Sequence, residues 1–181
     1  IFKRYLKSGS EWISAPKPKI NFKNIVEKKA GKKKLHRLLE NEISFEAANV
    51  LKLGKDLLYL ISRSGNRLGA EWLQKVVGNE YKVHTTEGIY GGTHIDSTIM
   101  ALRPGVVLFN GSRVNKKNCP RIFKNWKEIY FNEIVKTPDN VLEFHNDVRK
   151  KTYLKLKKKG LITDINHIAS SWIGMNFLSL D

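Results

Sequence analysis

The run Asp56-Leu57-Leu58-Tyr59-Leu60-Ile61-Ser62 constrains this chain most, because an apolar stretch of this length with polar ends reads as a buried strand. A turn follows at Ser64-Gly65-Asn66, where Asn66 is placed to cap a helix. The spacing of Leu68, Trp72 and Val76 predicts that helix, running to about Val77 with Gly78 at its stop. Tyr81 to Thr86 alternates and reads as a further strand. A strand, a helix and a strand within so few residues point to an α/β protein.

The flanking segments add to the same pattern. Ile43 to Ala47 reads as a short strand. Ser97 to Leu102 and Val106 to Asn110 read as strands joined by the turn Arg103-Pro104-Gly105. Phe123 to Ile134 is a helix or an edge strand, and Val141 to Lys158 is a charged helix. Ile165 to Asp181 ends in the apolar run Met175 to Leu180, which reads as a strand. Upstream, Ala15-Pro16-Lys17-Pro18 is expected to be extended, since proline disfavours helix at the preceding residue. Lys32 to Leu39 has the pattern of a short amphipathic helix. No residue-level repeat stands out, although the block shape itself is a candidate for repetition.

The 181 residues fit one ordinary domain or part of a larger one, and the 41% apolar content is enough for a core. No apolar run reaches the ~18 residues of a membrane span. A single cysteine excludes an internal disulfide and fits a reducing compartment, so the expected location is the cytoplasm. The formal charge of +16 comes from lysines gathered in Lys17–Lys34 and Arg149–Lys159. Such clusters are read as solvated faces rather than a nucleic-acid footprint, because no zinc spacing, aromatic-rich RNA-binding strand or phosphate loop accompanies them.

Several residues have the chemistry of a site. His94 and Asp96, two apart, would share a face if they lay on a strand, beside a loop, Glu87 to Thr93, that holds three glycines. Glu46 sits in an apolar frame between Phe45 and Ala47-Ala48, where a carboxylate is costly unless paired. Its partner is either one of the many lysines or His94. Arg113, after Asn110-Gly111-Ser112, offers a fork suited to a carboxylate. Cys119 lies in a loop with no partner base and is not expected to be a nucleophile. His36, His84, His145 and His167 show no metal-ligand spacing, and no metal or organic cofactor is expected.

These residues fall within motifs that resemble the amidinotransferases, which include the arginine:glycine and the inosamine-phosphate enzymes. Phe45-Glu46-Ala47-Ala48-Asn49 and the following Gly54-Lys55-Asp56 are similar to the family pattern F-D-A-A-D/N-x-x-R-x-G-x-D. His94-Ile95-Asp96-Ser97-Thr98 is similar to H-I-D-[AS]-T, and Pro104 to Leu108 to P-G-[IL]-V-L. Trp12 to Pro18 resembles an upstream W-x-x-A-P-K-P, Asn66 to Leu73 the intervening helix, and Ser170 to Asn176 a downstream S-x-W-x-x-M-N. The matches keep the family order across nearly the whole chain.

The resemblance implies a fivefold pseudo-symmetric α/β propeller, pentein-like, of which residues 1–181 would be a part of the catalytic domain, incomplete at both ends. It implies transfer of the amidino group of arginine, through a covalent amidino-cysteine, to an amine acceptor. With glycine as acceptor, the expected case, the products are guanidinoacetate and ornithine, as in creatine biosynthesis. By position, His94 would be the general acid and base, Glu46 its orienting carboxylate, Asp96 the grip on the guanidinium, Arg113 the partner of a substrate carboxylate, and Ser170 part of the pocket wall. The family's cysteine lies beyond the position matching Asp181, so these residues alone would be inactive. The family usually has aspartate where this chain has Glu46, while related guanidine hydrolases have glutamate. Hydrolysis is therefore the alternative activity. The alternative of another class is a basic, non-catalytic nucleic-acid-binding module. The expected partners are arginine and the acceptor, with no membrane and no nucleic acid, and a homodimer is a candidate assembly.

Overall fold

The apolar run forms β4, Asp56–Leu60, and alternation along it explains why nearly every residue is apolar. Leu58 and Leu60 face a core built with Ile95, Ile99, Val107 and Phe109. Leu57, Tyr59 and Ile61 face the other way, onto Ala70 and Leu73 of the helix α2, Arg67–Val77. A strand buried on both faces has no position left for a polar side chain, and each apolar side chain taken fully out of water contributes about 2 kcal/mol. The computed structural model describes residues 3–19, 25–30, 33–38, 40–90, 94–132 and 139–158.

Strand β4 is the centre of a three-stranded sheet. β3, Val50–Leu53, pairs with it antiparallel, and β5, Lys82–Thr86, pairs with it parallel after the crossover through α2. A second sheet repeats this plan with β6, Ile99–Arg103, β7, Val106–Asn110, and β8, Lys127–Phe131. Here too the first pair is antiparallel and the second parallel, with a 3₁₀ turn, Arg121–Phe123, in the crossover. The block shape therefore recurs in the topology although the residues do not repeat. Pro104-Gly105 makes the β6–β7 turn, where Gly105 has φ 77°, the left-handed conformation that favours glycine after proline.

Helix α2 begins where the sequence placed its cap. The Asn66 side chain accepts from the Gly69 N–H at 2.9 Å and from the Ser44 N–H at 3.1 Å, and it donates to the Glu42 carbonyl at 2.7 Å. Its buried side is Gly69, Ala70 and Leu73, with the periodic Leu68, Trp72 and Val76 half-buried alongside. A long helix, α3, spans Asp139–Lys158, as its charged pattern predicts. Lys3–Lys7 forms the short helix α1.

Two elements differ from the sequence reading. The strand expected at Ile43 to Ala47 does not form. The segment's backbone bonds go to Asn66 and to a 3₁₀ turn, Ala47–Asn49, so residues 43–49 join no ladder. The helix expected at Lys32 to Leu39 is instead strand β2, Lys33–Leu38, paired antiparallel with β1, Ile25–Ala30. Ala30 lies opposite Lys33, so the two strands that pair are also neighbours in sequence. A helix this short is marginal by itself, and the neighbouring Ile25–Ala30 segment offers a ladder in its place. The Phe123–Ile134 segment resolves to the edge strand β8 rather than a helix. The strand expected within Ile165–Asp181, and Ser170 with it, lies outside the described residues.

Candidate active site

Glu46 enters the site from the 3₁₀ turn that follows it. As the residue capping Ala47–Asn49 it has extended backbone (φ −137°, ψ 125°), and its carbonyl accepts from the Asn49 N–H at 3.1 Å. Glu46 and Asn49 stand at the two ends of this turn, and both reach His94. Phe45, just before, is fixed between rings, 5.0 Å from Trp72 and 6.1 Å from Tyr59 between centroids. The Tyr59 hydroxyl donates to the Ser44 carbonyl at 3.2 Å, and burial pushes its pKa well up. The segment carrying Glu46 is thus anchored to the core on both sides.

His94 arrives from the other sheet. It has φ 59°, the only described non-glycine residue in the left-handed region, and that conformation costs about 1–2 kcal/mol. Bonds on both sides hold it there. Its N–H donates to Asn49 Oδ1 at 2.9 Å, and the next N–H, of Ile95, donates to the Ala48 carbonyl at 2.9 Å. The imidazole Nε2 then lies 2.8 Å from Glu46 Oε1. The two side chains are 44% and 34% exposed in this chain, so the pair is not sealed within its core.

His94 and Asp96 do not lie on a strand. They sit in the turn before β6, where the Thr98 N–H donates to the Ile95 carbonyl at 2.8 Å, so strand alternation does not decide their orientation. Asp96 is half-buried and engaged in contacts of its own. Arg113 lies past the end of β7 and reaches back to the same turn. Its Nη1 donates to the Ser97 carbonyl at 3.0 Å, Ser97 Oγ at 2.8 Å and Thr98 Oγ1 at 2.9 Å. Its guanidinium stacks 3.7 Å above the Tyr90 ring centroid. Burial lowers its pKa, and Tyr90 opposes that shift. The fold therefore joins Glu46 to His94 and fixes Arg113 on the turn that carries His94 and Asp96.

Cys119 belongs elsewhere. Its thiol donates weakly to Glu128 Oε1 at 3.6 Å, in a cleft of about 650 Å³ lined also by Lys116, Pro120, Arg121 and Lys124. Burial first, and Glu128 second, push its pKa up to about 12, the opposite of what an attacking thiolate needs. Among the described residues no group of three His, Cys, Asp or Glu side chains is arranged to hold a metal ion. No described helix is long and apolar enough to cross a membrane.

The sequence reading missed two participants. Asn49, fully buried, was visible only as a motif letter, though its spacing of three from Glu46 was a usable signal. Tyr90 gave no signal, because its stacking on Arg113 joins residues brought together by the fold.

Two sheets of one topology, with a carboxylate–histidine pair bridging from the first to the turn that opens the second, define part of an α/β propeller of the pentein type. No protein-family model matches the chain. It is 44% identical over 175 residues to inosamine-phosphate amidinotransferase 1 of Streptomyces griseus, a match covering 96% of this chain and 43% of that protein. The solved structure of the inosamine-phosphate amidinotransferase from Streptomyces griseus superposes with a TM-score of 0.68 at 41% identity, over 96% of this chain and 42% of that one. The mitochondrial glycine amidinotransferase of Xenopus tropicalis is 29% identical over 124 residues, 62% of this chain and 29% of that protein. The chain belongs to the amidinotransferase family, and it spans less than half the length of these relatives.

Proposed function

We propose that the protein containing these residues transfers the amidino group of arginine to an amine acceptor, with the Glu46–His94 pair moving the protons. The 2.8 Å contact between His94 Nε2 and Glu46 carries this reading, because a carboxylate beside one ring nitrogen orients the imidazole and leaves its other nitrogen for exchange. In the first half-reaction a cysteine thiolate attacks the guanidinium carbon. The bond from that carbon to the ornithine nitrogen breaks, and His94 gives the departing amine its proton. In the second, His94 takes a proton from the acceptor amine as it attacks the amidino-cysteine, and the thiolate leaves.

Asp96 holds the guanidinium nitrogens in this scheme, Arg113 meets a substrate carboxylate, and Ser170 lines the amino-acid end of the pocket. The nucleophile belongs to the remainder of the protein, since Cys119 is held protonated beside Glu128. The 181 residues on their own are inactive in this reading. The proposed scheme uses no metal or organic cofactor, and its proposed setting is the cytoplasm. Glycine, the acceptor expected from the sequence, is weighed against the 44% identity to an inosamine-phosphate enzyme and the 29% to a glycine enzyme. That difference favours an inosamine phosphate as acceptor.

The test is incubation of the full-length protein with labelled arginine and, in parallel, glycine, lysine or an inosamine phosphate, read by mass spectrometry. Ornithine plus an amidinated acceptor, both lost on His94→Ala, is the expected result. Citrulline or ammonia without any acceptor would replace transfer by hydrolysis, the reading that glutamate at position 46 favours. Arginine left unchanged with no trapped adduct would remove both.

A further inference from the structure

We propose that Asn49 is a positioning residue, whose buried side-chain amide holds His94 in its left-handed conformation and so aims the imidazole at Glu46. Three observations converge on it. Asn49 is fully buried and hydrogen-bonded at both ends of its amide: Oδ1 accepts from the His94 N–H at 2.9 Å, and Nδ2 donates to Ser64 Oγ at 3.1 Å. His94 is the one described non-glycine residue with positive φ, so its backbone needs a restraint that its own sequence does not supply. The Asn49 N–H donates to the Glu46 carbonyl at 3.1 Å, so the carboxylate that meets the ring and the amide that meets the backbone come from one hydrogen-bonded turn.

The surroundings keep the amide from turning away. Gly65 leaves the room it occupies, since a Cβ there would lie 2.8 Å from Asn49 Nδ2. The Ser62 hydroxyl sits 3.5 Å from Oδ1 on the other side. Without the amide, the His94 N–H loses its acceptor, and the Ile95 N–H to the Ala48 carbonyl remains as the backbone bond across this junction. His94 can then relax toward ordinary negative φ, which carries the ring off Glu46 while Glu46 itself stays in place. Asn49 does not touch the reacting atoms. It acts through His94.

The experiment uses the full-length protein with Asn49→Leu, which keeps the branched outline and removes the amide's hydrogen bonds, and Asn49→Asp, which keeps an acceptor for the His94 N–H. Two readouts are taken: kcat and KM for arginine, and hydrogen exchange of the His94 amide. The kinetic readout rests on the amidinotransferase reading, and the exchange readout does not. A displaced catalytic group typically costs on the order of 100-fold, so Asn49→Leu should lower kcat by about that factor while KM stays within about threefold. Its His94 amide should exchange fast, and Asn49→Asp should restore both slow exchange and most of kcat. Wild-type kcat per folded molecule in Asn49→Leu, or an amide that stays slow, overturns the proposal. So does equal loss in both variants, which marks a residue needed only for folding. A wild type that leaves arginine untouched would fail the functional reading instead, and the exchange difference between the two variants would still decide the role of Asn49.

Discussion

Replacing Gly69 by alanine sets two effects against each other, and the structure says which wins. Gly69 lies in the first turn of α2, where alanine is favoured over glycine by about 1 kcal/mol in helix propensity. A Cβ there would overlap the Ser44 carbonyl oxygen, and it would stand 2.8 Å from the Ser44 carbonyl carbon and 2.9 Å from the Tyr59 hydroxyl. Two of these are backbone atoms, and the third is the tip of a fully buried, hydrogen-bonded ring. The helix start and the Ser44 segment must therefore part. That movement stretches three bonds: Asn66 N–H to the Ser44 carbonyl at 3.1 Å, Ser44 N–H to Asn66 Oδ1 at 3.1 Å, and Tyr59 O–H to the Ser44 carbonyl at 3.2 Å. At roughly 1 kcal/mol net for each buried bond, the loss is about 3 kcal/mol. Subtracting the propensity gain leaves a destabilisation of about 2 kcal/mol. Ser44 is two residues before Glu46, so the same shift should lower kcat. Urea unfolding of the full-length protein, analysed at constant m, measures the first effect. A variant as stable as wild type, or more stable, would refute the reasoning, because it would mean that the Ser44 segment moves without cost and does not anchor Glu46.

Other perturbations separate the roles of the site residues. Glu46→Gln should lower turnover by about 10²–10⁴-fold, and because the pair is partly exposed, stability should change by no more than about 1 kcal/mol; rate and melting measurements on one preparation check both. Arg113→Lys cannot reproduce the planar stack on Tyr90 or the three bonds from Nη1, so KM for arginine should rise about tenfold, and an unchanged KM would remove Arg113 from substrate binding. Cys119→Ser should leave turnover within about twofold, since a thiol whose pKa is raised by burial supplies no nucleophile. The sign of its pH effect follows. With the folded pKa raised to about 12, above the ordinary 9.0, wild type loses stability relative to Cys119→Ser as pH climbs from about 9 to 12, and paired unfolding curves across that range would reveal a missing or reversed trend.

Much of this protein is written in stretches a few residues long. The continuous apolar run of β4, the Asn66 cap with Gly78 at the far end of α2, and the Pro104-Gly105 turn each depend on neighbours within one or two turns of chain. Their local chemistry allows few other conformations, so the sequence by itself determined them, together with the α/β class. Where the deciding contact is distant, local pattern failed. Ile43 to Glu46 has the composition of a strand, but its hydrogen bonds are taken by Asn66, which lies 22 residues beyond Ser44. Lys33–Leu38 has a helical pattern and pairs instead with β1.

The site divides along the same line. Its residue types were legible, because a histidine, two carboxylates and an arginine fall within motifs of the amidinotransferase family. Their geometry was not. Strand spacing would have put His94 and Asp96 on one face, whereas the structure puts them in a turn and turns His94 through a left-handed backbone toward Glu46, 48 residues away in sequence. Periodicity records which way a side chain points along its own element. Only packing of the two sheets, which sets Ala48 and Asn49 against the backbone of His94 and Ile95, could decide that the imidazole meets Glu46 rather than one of the many lysines.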